Sequence, residues 1–159
     1  MQLRIVAVGK LKEKFWQAAV DEYLKRLKGY AKVEIVEVEE EKCPEKLSPA
    51  QETQVKEREG GRLIRALLPG SFCIALDLSG KEYSSEGFSD LLASLGLQGK
   101  SQVSFVIGGS LGLSPSIQQR ADLLFSFSRL TFPHQLIRVV LLEQIYRAFR
   151  IARNEPYHK

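Results

Sequence analysis

The stretch VSFVIGGSLGLSPSI, Val103 to Ile117, begins as an apolar run and breaks on Gly108 and Gly109. It takes a third glycine at Gly112 and offers a helix start only at Ser114 and Pro115. A β-branched, aromatic run bounded by glycine reads as a buried strand, and serine followed by proline at the first helical position opens a helix. Strand, glycine loop and helix in succession form the unit from which parallel sheets are built. The glycines pose the functional question, because backbone without Cβ is needed where a chain turns sharply or where something must approach it closely.

Two phosphate-binding motifs are excluded here. A dinucleotide fingerprint needs glycine at 107, 109 and 112, but position 107 is isoleucine and no acidic residue stands about 20 residues on. A P-loop needs Gly-Lys-Ser/Thr, which is absent. Two readings stay open. GGSLG matches the nucleophile elbow Gly-x-Ser-x-Gly of serine hydrolases, with Ser110 as nucleophile and Asp122 followed by His134 or His158 in the required chain order. That elbow wants its helix at once, whereas LGLSPS delays it, so a tight turn with no ligand competes with it.

Working outward, the strand and helix alternation extends along the whole chain. LRIVAV is a strand closed by Gly9, and Phe15, Ala19, Tyr23 and Leu27 then repeat at helical spacing. KVEIVEV is a second strand, followed by a charged loop and SPAQ, where Ser48, Pro49 and Gln51 spell a capping box. Gly60 and Gly61 inside that second helix predict a break or bend. SFCIALDL, QVSFVI and DLLFSFS are further strands, SSEGFSDLLASL a third helix, and HQLIRVVLLEQIYRAFRIA the last and longest. The expectation is a single α/β domain over residues 1–159, a mostly parallel sheet with helices on both faces. The last helix carries apolar residues around most of its circumference, which predicts that its outer face meets another subunit and the protein is a homodimer.

Composition narrows the class. Hydrophobic residues at 44% and charged residues at 26% fit a chain that folds throughout, and no segment is long and apolar enough for a membrane span, so a cytoplasmic protein is expected. Cys43 and Cys73 stand alone, and no residue pattern suits a metal. The net charge of +4 is unevenly placed: Glu37 to Glu59 holds eight acidic residues against four basic, while Arg129 to Lys159 holds six basic against two acidic. A basic C-terminal face suits a solvated helix or a phosphate-binding surface equally well.

Five stretches together carry a more specific signal: VAVGKLKEKFW, LDLSGK, FVIGGSLGL, LFSFSRLTFPHQLIRVVLLEQIYRAF and the terminal NEPYHK. Over essentially the whole chain they resemble the RlmH (YbeA) family of SPOUT methyltransferases. The resemblance implies transfer of a methyl group from S-adenosyl-L-methionine to N3 of a pseudouridine in 23S ribosomal RNA of the large subunit, acting on the assembled ribosome. It also implies a homodimer with a C-terminal trefoil knot. Fold rules alone argue against knots, so the knot rests on the resemblance.

Carried over by motif position, the resemblance places the cofactor against Leu76, the glycine loop at Gly108 and Gly109, and the loop Phe127, Ser128, Arg129, Leu130, Thr131 and Phe132. The two loop glycines would then admit a flat ring close to the backbone. The matching Pro-Tyr-His tail implies that His158 takes the N3 proton, that Tyr157 stacks on or hydrogen-bonds the base, and that Arg153 binds phosphate or stabilises the uracil anion. Without the match, these last residues read as a frayed end and His134 as a structural residue of the loop before the long helix.

Overall fold

Alternation of period two decides which side of the sheet each strand residue faces, and here both sides are buried. The computed structural model describes every residue from Met1 to Lys159. In chain order the elements are β1 (Gln2–Val8), α1 (Lys14–Leu27), β2 (Lys32–Val38), α2 (Pro49–Ala66) and β3 (Phe72–Glu82). There follow α3 (Ser85–Leu97), β4 (Gln102–Ile107), α4 (Pro115–Arg120), β5 (Leu123–Ser126) and α5 (His134–Ala152). The strands form one fully parallel sheet in the order β2-β1-β4-β3-β5. Leu3, Ile5, Ala7, Ile74, Val103, Phe105 and Ile107 face a core shared with α1, α3 and α5. Val6, Val8, Cys73, Ala75 and Val106 face a smaller core with α2 and α4. The α/β architecture with helices on both faces is the one expected from the alternation.

Helix α2 opens as its sequence predicts, with Ser48 and Gln51 completing the capping box. It does not break at Gly60 and Gly61, contrary to expectation. A Cβ on Gly60 would fall onto the Ser114 side chain, so this glycine serves close packing of α2 on α4 rather than a bend. Ser114 is itself the α4 cap, its Oγ accepting from the Ile117 N–H at 3.2 Å.

The reading of α5 also needs correction. Its inner face, Ile137, Leu141, Leu142, Ile145 and Ala148, is buried against the sheet, with α1 and α3 packed beside it. Its outer face is apolar only in the first half, where Leu136, Val139 and Val140 are half-buried. In the second half that face carries Glu143, Arg147 and Arg150, and the chain's own tail covers it through Tyr157 and His158.

Strand β3 departs from a plain ladder. Leu76 and Lys81 both pair with Phe125, so Asp77 to Gly80 loop out of register. A Cβ on Gly80 would lie 2.6 Å from the backbone of Leu124 and Phe125, which makes glycine obligatory where β3 approaches β5 this closely.

Candidate active site

Parallel strands end on one edge, so the loops after β3, β4 and β5 open on the same side of the sheet. There they enclose a cavity of about 700 Å³ lined by Leu76 to Leu78, Ile107 to Leu113, Phe125 to Ser128, Leu130 to His134, and Ile137. That volume suits one small organic ligand.

The glycine loop forms one wall. Gly112 adopts φ +88° and donates its N–H to the Gly109 carbonyl at 3.0 Å, which folds the loop back on itself. Cβ atoms on Gly108 and Gly109 would point into the protein, at Leu113 and Gly112 in the first case and at Glu59 and Val8 in the second. The glycines let the loop pack on itself, on α2 and on β1 without a clash. The opposite wall is the loop from β5 to α5. The Ser126 hydroxyl donates to the Ser128 carbonyl at 2.8 Å, and Leu130 N–H donates to Ser128 Oγ at 2.9 Å. Phe127 stands edge-on to Phe125 at 4.9 Å, and Phe125 stacks on Tyr83. Backbone turns and packed rings thus fix the wall.

The cavity gathers Leu76, Gly108, Gly109, Phe127, Ser128, Leu130, Thr131 and Phe132 from the sequence assignment. Arg129 departs from it: the side chain is exposed and outside the lining. His134 lines the cavity as the first residue of α5, rather than serving the loop alone. Asp77, not singled out from sequence, supplies the one carboxylate of the wall. Burial alone would raise its pKa, but hydrogen bonds from Ser79 N–H, Ser79 Oγ and Gln118 prevail and lower it, keeping the group anionic.

Two buried charged groups support the loops from behind. Glu59 on α2 sits beneath Gly109 and accepts the Glu41 N–H at 3.1 Å; burial is the main cause that raises its pKa. Arg138, 1% exposed, anchors the end of β1 to α5. Its signal in sequence is its helical phase, among Leu141, Leu142 and Ile145 rather than on the charged side.

The tail lies elsewhere. Tyr157 OH donates to Glu143 at 3.1 Å, and the Arg147 guanidinium lies over the Tyr157 ring at 4.8 Å. His158 Nδ1 faces Arg147 at 3.2 Å and its Nε2 faces Glu86 at 2.8 Å. Arg153 stacks on Tyr30 at 4.4 Å. At 1.5 Å per helical residue, Arg147 stands about 15 Å along α5 from Ile137 in the cavity wall. Within one protomer, the tail and the cavity are separate.

A family model described as "Predicted SPOUT methyltransferase" matches residues 1–158. This chain belongs to the SPOUT methyltransferase family. It is 54% identical over 159 residues to ribosomal RNA large subunit methyltransferase H of Desulfitobacterium hafniense (strain DSM 10664 / DCB-2), covering 100% of this chain and 99% of that one. The protein of the same name from Enterococcus faecalis (strain ATCC 700802 / V583) is 55% identical, with 100% of both chains covered. Among solved structures, a probable methylase family protein from Haemophilus influenzae Rd KW20 shares the fold at a TM-score of 0.54 and 10% identity, covering 99% of this chain and 70% of that one.

The SPOUT fold leaves the serine-hydrolase alternative without a triad. Ser110 follows the C-terminal end of β4, whereas Asp122 precedes the N-terminal end of β5, on the opposite edge of the sheet. Asp122 accepts from Cys73 N–H at 2.7 Å and pairs with Arg120. His158 is engaged by Arg147 and Glu86, and no hydrogen bond joins either histidine to Ser110. No group of His, Cys, Asp and Glu side chains is placed to hold a metal, and no helix is long and apolar enough to cross a membrane.

Proposed function

We propose that this SPOUT methyltransferase uses S-adenosyl-L-methionine to methylate N3 of a pseudouridine in 23S ribosomal RNA, acting in the cytoplasm as a homodimer on the large subunit of the assembled ribosome. The observation that carries the reading is the convergence of the glycine loop and the Phe127 to Phe132 loop on one cavity, in a chain that matches named ribosomal RNA methyltransferases end to end.

The cavity fits the cofactor's chemistry. Leu76, Leu111, Phe127 and Phe132 offer apolar walls for an adenine, the two loops offer backbone groups for ribose and amide-like contacts, and anionic Asp77 favours a sulfonium cation. When bound, S-adenosyl-L-methionine supplies an electrophilic methyl group. The chain's own residues must then orient the base and remove its N3 proton, which leaves only well above neutral pH unless a partner stabilises the anion. Tyr157, raised to about 12 by burial and by its bond to Glu143, keeps its proton and serves to stack or donate. His158 would accept the N3 proton at Nδ1 once the Arg147 contact opens, and Arg153 would offer its guanidinium to phosphate or the uracil anion.

The distance between tail and cavity supports action in trans. Pairing the apolar first half of α5, at Leu136, Val139 and Val140, antiparallel with its copy would lay each tail over the partner's cavity. The reading includes the C-terminal trefoil knot of the family.

Calorimetric titration with S-adenosyl-L-methionine, followed by mass mapping of methyl groups on unmodified ribosomes, tests the proposal. Bound cofactor should stabilise the fold by about 2.7 kcal/mol at a hundredfold excess over Kd. No heat would remove the cofactor assignment, and a methyl group at any atom other than N3 of pseudouridine would remove the substrate assignment.

A further inference from the structure

Lys10 and Lys12, in the loop between β1 and α1, and Lys14, the first residue of α1, are exposed, with Glu13 the one acid among them. None of the three lysines takes part in an ion pair or a side-chain hydrogen bond, although acidic residues are plentiful along β2. Immediately after them Phe15 is 64% exposed, its ring 4.9 Å from that of half-buried Trp16. A large aromatic left in water beside unpaired cations is costly in the free protein and has no packing role.

The loop is held in place rather than loose. Leu11 N–H donates to Glu37 at 2.8 Å, Gln17 donates to the Leu11 carbonyl at 2.7 Å, and Gly9, at φ +85°, donates to Val38 and accepts from Arg138. Arg138 adjoins Ile137 of the cavity wall, so the lysines sit at the cavity's own edge of the sheet. Across the cavity stands Arg129, exposed and unpaired. Cores of protein interfaces are depleted in lysine, whereas aromatic rings interleaved with cations suit unpaired bases and their phosphates.

We propose that Lys10, Lys12, Lys14 and Phe15 form a docking surface for RNA, the lysines neutralising phosphates and Phe15 stacking on an unpaired base flanking the target. This rests on the ribosomal RNA reading above and extends it to a surface outside the cavity and tail.

The test measures binding of full-length protein to purified, assembled ribosomes lacking the modification across about 50 to 200 mM salt, alongside methylation and cofactor titration. Lys10→Ala/Lys12→Ala/Lys14→Ala should weaken binding at least about tenfold and lower the log–log salt slope by about two, with cofactor affinity and melting temperature unchanged. Phe15→Leu should weaken binding about tenfold and Phe15→Tyr should restore it, because stacking needs a ring. Unchanged affinity and slope in the triple variant, with wild-type methylation intact, would overturn the surface alone. Weaker binding at an unchanged slope would assign the contact to a ribosomal protein and overturn the RNA proposal. If the wild type binds ribosomes in this lysine-dependent way but transfers no methyl group, the surface stands and the methylation reading falls.

Discussion

Arg138 reaches from α5 to the end of β1 and donates to the carbonyls of Val8 and Gly9 at 2.8 and 2.9 Å, while pairing with Glu37 at 2.9 Å. Burial lowers its pKa and the Glu37 bond opposes that, so the guanidinium stays charged inside the fold. One side chain thereby fixes three neighbours of the cavity: the strand end, the lysine-bearing loop and the first turn of α5.

Replacing Arg138 with methionine removes the guanidinium donor from the buried Val8 carbonyl, the part-buried Gly9 carbonyl and Glu37, which keeps only the Leu11 N–H. The expected cost is about 3 kcal/mol, read as a lower urea midpoint at constant slope. Arg138→Lys preserves the charge but not the planar fork, and should recover less than half of the loss. Equal midpoints for all three proteins would show that water replaces the guanidinium without penalty.

Glu59 gives a pH dependence of definite sign. Its folded-state pKa is raised, chiefly by burial, so the stability it contributes is present below the ordinary glutamate pKa and is lost as pH rises through the raised value. Glu59→Gln removes that charge. Its stability should show a smaller decline than wild type between mildly acidic and neutral pH. Parallel pH profiles for the two proteins would place the relevant titration elsewhere.

Gly60→Ala should destabilise by about 1 to 3 kcal/mol, because the new methyl group displaces the Ser114 side chain that caps α4. Ser114→Gly alone loses the cap, but in combination with Gly60→Ala it also relieves the clash. The double variant should therefore be less destabilised than the sum of the singles, by a margin that a thermal-unfolding cycle resolves. Strict additivity would mean that α2 and α4 move apart at no cost.

Local rules reached far into this fold. The Ser48 capping box, the Ser114-Pro115 helix start and the strand pattern of Val103 to Ile107 depend on neighbours in sequence, and all three are present. The Gly60 error has the opposite origin, since what matters there is a serine more than fifty positions away. Arg138 was read with the basic C-terminal residues because charge was counted along the chain and not by helical phase. The Phe127 to Phe132 loop had no signal in spacing or composition; resemblance alone marked it, and the turns that shape it rest on two serine hydroxyls no periodicity reveals. The tail's distance from the cavity was equally hidden, because it follows from the length of α5 and the direction in which the tail returns.

That separation makes the strongest test of the proposed dimer. Truncation after Asn154 removes Tyr157 and His158, and loss of a general base alone slows a reaction about a hundred- to ten-thousandfold. Thr131→Trp should instead block the cavity from its rim, since Thr131 is exposed yet lines it. Each variant alone should be nearly inactive, the first still binding cofactor and the second not. Co-expressed and assayed without separating the dimers, they place one intact cavity opposite one intact tail in each mixed dimer, and random pairing should restore about a quarter of wild-type methylation if the tail acts on the partner's cavity. A tail serving its own protomer gives no recovery, because every protomer then lacks one half of its site. His158→Ala in place of the truncation separates the proton acceptor from the base-stacking ring: activity retained in that variant and lost on truncation would move the essential role to Tyr157.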